Sequence, residues 1–165
     1  MTQTETEILP FDRTTHLDDL LKLTVRAWEP VFPKMERAIP GYVYDSFYPK
    51  GWKTRQLDDV RTMCKDPDVH LFITRTDGKM SGYLGVKSHE EDNMGEIYII
   101  AVDPDFQRHG IGRTLMDFAF DWMRDEGLAM VMVETGGDPG HAPARAVYED
   151  AGFERYPVAR YFRKL

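Results

Sequence analysis

One unbroken apolar run, residues 97–102, constrains the fold more than any other feature of the chain. A strand with one solvated face alternates apolar and polar side chains. A run without alternation, here within residues 94–102, therefore predicts a central strand buried on both faces. Apolar residues at helical spacing follow from Ile111 to Trp122, and Gly127 is positioned to end that helix. Residues 128–133 predict another strand, so the whole segment predicts a parallel βαβ unit.

A β-hairpin is predicted immediately before this unit. Residues 70–76 and 79–89 read as strands, and Asp77-Gly78 lies between them. That dipeptide is a strong turn signal because a type I′ turn needs positive φ at both of its central residues. Further towards the N-terminus, residues 7–11 predict a short strand, and a helix is expected from a candidate N-cap at Thr15 to Trp28.

The remaining segments complete the expected domain. Residues 30–52 are predicted to be irregular because prolines and glycines interrupt them, and residues 54–65 predict a helix. Another helix is expected to open at Pro143 and to end before Gly152, and residues 158–165 alternate enough to predict a last strand. Together the elements predict a mixed α/β (α+β) fold in one domain over residues 1–165, since no stretch has the composition of a linker.

Charge and cysteine content exclude several classes of function. The formal net charge is −7, whereas a general nucleic-acid binder normally has a basic face. The lone Cys64 and five histidines without ligand spacing give no reason to expect a disulfide or a metal site. The N-terminus lacks the pattern of a signal peptide, and the longest apolar run is far below the ~20 residues of a spanning helix. We therefore expect no nucleic-acid or membrane contact and a cytoplasmic location.

The loop between the buried strand and its helix is the most informative stretch. It contains Gly110 and Gly112 and leads into the helix N-terminus, where backbone N–H groups attract anions. Three basic side chains crowd the same turn of an otherwise acidic chain: Arg108, His109 and Arg113. A diphosphate is the natural ligand for such an arrangement.

Two other interpretations of this loop are open. It could be an ordinary loop, although that does not explain why the glycines and basic groups cluster. It could be a dinucleotide-binding fingerprint, with Glu134 as the ribose-binding acid after the next strand. However, Leu115 occupies the third glycine position, and seven residues separate Val102 from Gly110.

Two motifs resemble those of the GNAT N-acetyltransferase superfamily. The first, Gln107-Arg108-His109-Gly110-Ile111-Gly112, matches its Gln/Arg-x-x-Gly-x-Gly/Ala motif. The second, residues 144–153, resembles its Ala-x-x-x-Tyr-x-x-x-Gly-Phe segment. The resemblance implies the GNAT fold, with a mixed sheet of about six to seven strands, about four flanking helices and a cofactor wedge between two splayed parallel strands.

The resemblance also implies acetyl-coenzyme A (acetyl-CoA) as the cofactor. The backbone of the first motif would hold its diphosphate, and the end of the preceding strand would pair with the pantetheine amides as a further strand would. Many relatives carry Asn at the position of His141, so this chain departs from the pattern there. The cofactor-binding residues expected on this basis are Ile100, Ala101, Val102, Gln107, Arg108, His109, Gly110, Ile111, Gly112, Arg113 and His141.

Glu96 and Tyr148 are the expected catalytic residues. Glu96 lies 11 residues before Gln107, where some family members have the base that deprotonates the attacking amine. Its other interpretation is a solvated residue at a strand edge, and Glu134, Asp138 and His141 are reserve candidates. Tyr148 matches the family's tyrosine that donates a proton to, or stabilises, the leaving thiolate, although it could be a core aromatic instead.

The acceptor is the least determined part. Seven of the chain's 20 aromatic residues lie within residues 28–52, where the family shapes its acceptor pocket. They could bind a cationic amine, form a small secondary core or make a homodimer contact. The substrate-binding candidates are Trp28, Phe32, Tyr44, Glu134 and Asp138.

We expect a small cationic acceptor that resembles an aminoglycoside or a polyamine. A peptide or protein N-terminus and an amino acid are alternatives, the last requiring a basic carboxylate anchor such as Arg26, Lys34 or Arg37. A different class, a non-catalytic acyl-CoA-binding sensor on the same fold, is also open. The presence of Glu96 and Tyr148 favours an enzyme.

Overall fold

The apolar run lies in a strand, Met94–Val102, of the computed structural model, which describes residues 5–165; the strand has a partner on both sides only as far as Ile97, and its Tyr98 is exposed rather than buried. The described residues divide into two compact units. The sheet unit comprises the chain up to Ala27 together with Gln56–Glu134, and the second unit comprises Trp28–Arg55 and Thr135–Leu165. The expectation of a single domain over the whole chain stays a prediction.

The sheet unit contains one mixed sheet. Within the described residues it has five strands, in the order β1-β2-β3-β4-β5, with β4 and β5 parallel and all other neighbours antiparallel. The strands are β1 (Thr6–Pro10), β2 (His70–Thr76), β3 (Lys79–His89), β4 (Met94–Val102) and β5 (Met130–Val133). The predicted hairpin is confirmed, and its turn has φ 51° at Asp77 and 78° at Gly78, as a type I′ turn requires.

Helices cover both faces of this sheet. Helix α1 (Arg13–Trp28) places the Thr24 hydroxyl 2.7 Å from the Tyr83 hydroxyl of β3. The neighbouring Gly82 faces Leu115 of α5 (Ile111–Asp125). Adjacent residues of a strand point to opposite faces, so α1 and α5 lie on opposite sides of β3. The βαβ unit predicted from the apolar run is thus confirmed as β4, α5 and β5.

The N-terminal cap of α1 differs from the prediction. Asp12, rather than Thr15, caps the helix, because its Oδ1 accepts hydrogen bonds from the backbone N–H groups of Thr14 and Thr15 at 2.8 and 3.2 Å. A carboxylate there also interacts favourably with the positive end of the helix dipole.

The second unit corrects two further predictions. Residues 30–52 are not irregular, because they contain α2 (Phe32–Ala38) and α3 (Gly41–Phe47) and lead into α4 (Trp52–Met63). Proline is tolerated in the first turn of a helix, and here Pro33 lies in the first turn of α2 while Pro40 immediately precedes α3.

The C-terminal part of this unit contains α6 (Ala142–Asp150) but no strand after it in the described chain. The last strand expected over residues 158–165 is therefore wrong. Val158 and Tyr161 are 76% and 90% exposed, and without a neighbouring strand an extended segment has no hydrogen-bond partners to hold it. This loss accounts for the sheet having fewer strands than the six to seven expected. Among residues 5–165, no helix is both long and apolar enough to cross a membrane.

Candidate functional site

The parallel pair β4 and β5 separates halfway along β4. The pairing covers Met94–Ile97 of β4 against Met130–Val133 of β5 and then stops, although β4 continues to Val102. Tyr98 is an extra residue in β4, since Ile97 and Ile99 pair with consecutive residues of β3. Such a β-bulge bends the strand that contains it. Within the described residues, the edge of β4 beyond the bulge therefore has no strand partner on the β5 side, and Ile100, Ala101 and Val102 lie on it.

The start of the loop after β4 is held by a bidentate ion pair. Arg26 of α1 donates to both carboxylate oxygens of Asp103 at 2.9 and 3.1 Å, and it also contacts Asp105 at 2.9 Å. Asp103 additionally accepts the backbone N–H of Asp105, so its side chain caps the short 3₁₀ turn at Pro104–Phe106. These contacts fix the direction in which the chain leaves the sheet. Sequence reasoning missed them because Arg26 and Asp103 are 77 residues apart.

Two residues of this loop have left-handed backbone conformations. Arg108 has φ 64° and Gly110 has φ 78°, and α5 begins directly afterwards. No hydrogen bond within residues 5–165 engages the backbone N–H groups of residues 108–113. Left-handed residues that precede a helix turn successive N–H groups into one concavity, where the helix dipole adds positive potential. Gln107, Arg108, His109 and Gly110 are exposed, so an anion can reach this loop.

The two glycines of the loop differ in their surroundings. A Cβ placed on Gly110 would meet no heavy atom within 4 Å, whereas one on Gly112 would lie 3.7 Å from Cγ2 of Val102. Gly110 therefore borders open space, and Gly112 faces the end of β4. The Arg113 side chain follows its own helix, with Nε 3.0 Å from an Asp117 carboxylate oxygen.

Glu96 does not lie at a sheet edge. It pairs with Lys87 of β3 on one side and with Met132 of β5 on the other, and its side chain is 18% exposed. Its Oε2 lies 2.7 Å from Nε2 of His89. Because an ionised carboxylate only accepts hydrogen bonds, Nε2 of the imidazole carries the hydrogen. The interpretation of Glu96 as a solvated edge residue is therefore wrong, while its role as base stays a prediction.

Tyr148 lies on α6 in the second unit and is partly buried, with its ring 5.9 Å from that of Phe153. Burial raises its pKa above the ordinary 10.0. Within the described chain nothing hydrogen-bonds to its hydroxyl. The group thus holds its proton at neutral pH and has a donor to offer.

A hydrogen-bonded turn precedes α6 in the same unit. Asp138 accepts from Nδ1 of His141 at 2.6 Å and from the backbone N–H of Gly140 at 2.9 Å. Burial alone would raise the pKa of Asp138, but these hydrogen bonds and the charge of His141 together lower it below its ordinary value. Arg145, which sequence reasoning did not single out, donates to the carbonyl oxygens of Gly136 and Asp138 at 2.6 and 2.8 Å.

The aromatic residues of the second unit form a packed cluster. The ring of Phe32 stacks on Trp52 at 4.5 Å and meets Tyr48 edge-on at 5.3 Å, while Tyr44 lies 4.8 Å from Tyr48. Phe32 and Tyr44 are 5% and 9% exposed. These two candidates for substrate binding are thus in a small secondary core, and Trp28 is partly exposed.

The predicted site residues are distributed over both units. The sheet unit contains Glu96, the end of β4, the whole glycine loop and the exposed Glu134. The second unit contains Trp28, Phe32, Tyr44, Asp138, His141 and Tyr148.

Comparisons with known proteins identify the family of the chain. The model of a family described as "Acetyltransferase (GNAT) family" matches residues 41–153. A mycothiol acetyltransferase of Thermomonospora curvata is 37% identical over 105 residues, which make up 62% of this chain and 34% of that relative. The chain spans about a third of the length of the curated relatives that it matches.

Solved structures resemble the fold over nearly the whole chain. An aminoglycoside N-acetyltransferase, AAC(6')-Iy in complex with CoA, has a TM-score of 0.64 at 17% identity, covering 98% of this chain and 96% of that one. The ribosomal-protein-S18-alanine N-acetyltransferase from Escherichia coli has a TM-score of 0.66 at 24% identity, covering 93% and 80%. At these identities the likeness concerns the fold alone.

Proposed function

The chain belongs to the acetyltransferase (GNAT) family, and we propose that it transfers the acetyl group of acetyl-CoA to a primary amine of a small molecule. The observation that carries the proposal is the loop of residues 107–113. In the described part of the chain, the backbone N–H groups of residues 108–113 have no hydrogen-bond partner. They lie at the N-terminus of α5, after the edge of β4 that has no strand partner there.

These residues suit the chemistry of the donor. Acetyl-CoA supplies a thioester, which is an activated acyl group, on a long arm that ends in a diphosphate. The N–H groups of residues 108–113 would hold the diphosphate, since a helix N-terminus binds anions through its dipole and its unpaired donors. Ile100, Ala101 and Val102 would pair with the amides of the arm through their main chain, as an added strand does. Gln107 and the side chains of Arg108 and His109 border the same anion site.

Glu96 is proposed to make the amine nucleophilic. An alkyl amine with a pKa of about 10.4 is almost fully protonated at neutral pH, and only its neutral form has the lone pair that attacks a thioester. Oε2 of Glu96 is occupied by His89, which leaves Oε1 to accept a proton from the amine, directly or through water.

Tyr148 is proposed to stabilise the leaving thiolate. A thiol has a pKa of about 8.5, while burial raises the pKa of Tyr148 above 10.0. Full proton transfer from the phenol to the thiolate would therefore be uphill by at least about 2 kcal/mol. Tyr148 thus acts mainly as a hydrogen-bond donor to the sulfur. In the same unit, His141 keeps Nε2 free for the donor molecule, because its Nδ1 is bound to Asp138.

The net charge of the chain and the ion pairs of Arg26 favour a small cationic acceptor that resembles an aminoglycoside or a polyamine. The chain has a net charge of −7. Arg26 is already bound to Asp103 and Asp105, so it is not available as the carboxylate anchor that an amino-acid acceptor would need. Trp28, Glu134 and Asp138 remain the proposed contacts for the acceptor.

A second acceptor class is supported by the 37% identity to a protein named mycothiol acetyltransferase. Because the chain spans only about a third of that relative, an acceptor of the mycothiol type is a separate candidate rather than a consequence of family membership. A peptide or protein N-terminus and an amino acid, for which Lys34 and Arg37 stay candidate carboxylate anchors, are the remaining alternatives.

A thiol-release assay tests the proposal. Acetyl-CoA is incubated with aminoglycosides, polyamines, mycothiol precursors, amino acids and peptides, and free thiol is measured. Turnover with one small amine supports the proposal, and turnover with peptides alone would replace the acceptor class. Tight binding of acetyl-CoA by calorimetry without turnover of any amine would identify a non-catalytic sensor. The homodimer and the cytoplasmic location stay predictions.

A further inference from the structure

A histidine that the proposed reaction does not use is bound to the proposed base. His89, the last residue of β3, has Nε2 2.7 Å from Oε2 of Glu96 on β4. In the register of the two strands, Lys87 pairs with Glu96 and His89 pairs with Met94. Paired residues of antiparallel strands project from the same face, so His89 and Glu96 share a face of the sheet. Gly95 precedes Glu96 in β4 and so points to the opposite face of the sheet, where it faces Met123 of α5. The His89–Glu96 pair therefore lies on the face away from α5.

Charged neighbours of the pair do not compete for the Glu96 carboxylate. Lys87 is directly opposite Glu96, but its ammonium lies 3.4 Å from Asp66 and 4.4 Å from the centre of the Tyr98 ring. Strand β5 contributes the uncharged Met132 beside Glu96. Glu91 is 3.9 Å from Nδ1 of His89, too far for a hydrogen bond. Within residues 5–165, the imidazole is therefore the one group that hydrogen-bonds to Glu96.

We infer that His89 is a positioning residue that holds the carboxylate of Glu96 for proton abstraction. The inference rests on the proposed function and deepens it. The imidazole fixes Oε2 and so restricts the rotation of a flexible side chain, which aims the free Oε1 at the amine or at a bridging water. A base held in one orientation before the substrate arrives avoids that ordering cost during the reaction.

The expected effect of His89 is on turnover rather than on donor binding. A hydrogen bond to a charged group contributes about 1.5–3 kcal/mol, which corresponds to about tenfold or more in rate. His89→Ala should lower kcat at least about tenfold and leave the KM for acetyl-CoA unchanged. His89→Gln should restore most of kcat, because the Gln amide has a donor nitrogen that reaches a position similar to that of the imidazole Nε2.

A double-mutant cycle separates positioning from a merely structural role. If His89 acts through Glu96, then His89→Ala has no further effect on kcat in a Glu96→Gln background. His70→Ala is the matched control, since His70 is a histidine of β2 whose ring lies 5.0 Å from Trp122 of α5, and its kcat should equal that of the wild type. Thermal melting and calorimetry with acetyl-CoA check that each variant is folded and binds the donor.

Each outcome decides a different question. The positioning role would be overturned if His89→Ala lowered kcat equally in the wild-type and Glu96→Gln backgrounds. It would also be overturned if His89→Gln were as slow as His89→Ala. A fully active Glu96→Gln variant would overturn it together with the proposed base, and absence of turnover with any amine would overturn the proposed function itself. Imidazole ¹⁵N shifts give a readout without turnover. His89 should show a protonated Nε2 in the wild type, and a tautomer unchanged in Glu96→Ala would contradict the pairing.

Discussion

Two alanine substitutions in the same loop should have opposite effects. Gly110→Ala and Gly112→Ala add the same methyl group two residues apart, but Gly110 has φ 78° and borders open space, while Gly112 is helical and faces Val102 at 3.7 Å. If the loop binds a diphosphate through its backbone, only the methyl at Gly110 enters the space that the anion needs.

The stability changes follow from the backbone. An L-residue in the left-handed region costs about 1–2 kcal/mol, partly offset by a less flexible unfolded chain, so Gly110→Ala should lower the free energy of unfolding by about 1 kcal/mol. Replacing Gly112 by Ala in the first turn of α5 removes the entropic cost of a helical glycine. This change should raise the free energy of unfolding by about 0.5–1 kcal/mol. For a chain of this size, 1 kcal/mol shifts Tm by about 2–4 °C.

The affinity changes follow from the position of the methyl group. A methyl at Gly110 should prevent at least one charge-assisted hydrogen bond to the diphosphate, which is worth about 1.5–3 kcal/mol and thus about tenfold to a hundredfold in Kd. Gly112→Ala should change Kd by less than about twofold, because its Cβ points at Val102 rather than at the anion. Gly110→Trp should remove binding altogether.

Calorimetry with CoA and thermal melting measure both quantities on the same samples. We expect the Gly112 variant to be more stable with unchanged affinity and the Gly110 variant to be less stable with weaker affinity. A folded Gly110 variant that binds CoA as tightly as the wild type would refute the assignment of the loop. Equal losses of affinity in both variants would show that the loop responds to any added bulk.

Three other predictions concern the proposed catalytic groups and the turn before α6. Tyr148→Phe should lower kcat more than it raises KM, and steady-state kinetics showing equal changes in kcat and KM would make Tyr148 structural. Because burial raises the pKa of Tyr148, no decline of kcat below pH 10 should come from its ionisation. Glu96→Gln should lower kcat strongly and leave the KM for acetyl-CoA unchanged, and an unchanged kcat would move the base elsewhere. The pKa of Asp138 is lowered from 3.8 in the folded chain. The stability that this carboxylate contributes is therefore present above about pH 4 and is lost as pH falls through its folded-state pKa. Urea titrations between pH 2 and 6 should show that loss in the wild type and not in Asp138→Asn.

The elements that depend on local signals could be predicted from the sequence. The hairpin over β2 and β3 follows from Asp77-Gly78, and the βαβ unit follows from the apolar run and from the helical spacing of Ile111 and Leu115. The loop motif and the segment around Tyr148 identified the family, which the family model confirms. In each case the residues that determine the structure are near neighbours in the chain.

The features that were missed depend on contacts far apart in sequence. The bulge at Tyr98 is a property of the pairing between β3 and β4, and no residue type in β4 predicts it. The ion pair of Arg26 with Asp103 and the hydrogen bond of His89 to Glu96 arise only once the sheet has formed. Prolines misled the prediction for residues 30–52, because Pro33 lies in the first turn of a helix rather than breaking one.

The most direct test of the proposed function is thiol release from acetyl-CoA in the presence of single amines. The proposal predicts release that requires both acetyl-CoA and a small-molecule amine, that yields one acetylated amine per thiol, and that falls strongly in Glu96→Gln and Tyr148→Phe. Tight binding of acetyl-CoA without thiol release for any amine in the panel would contradict it.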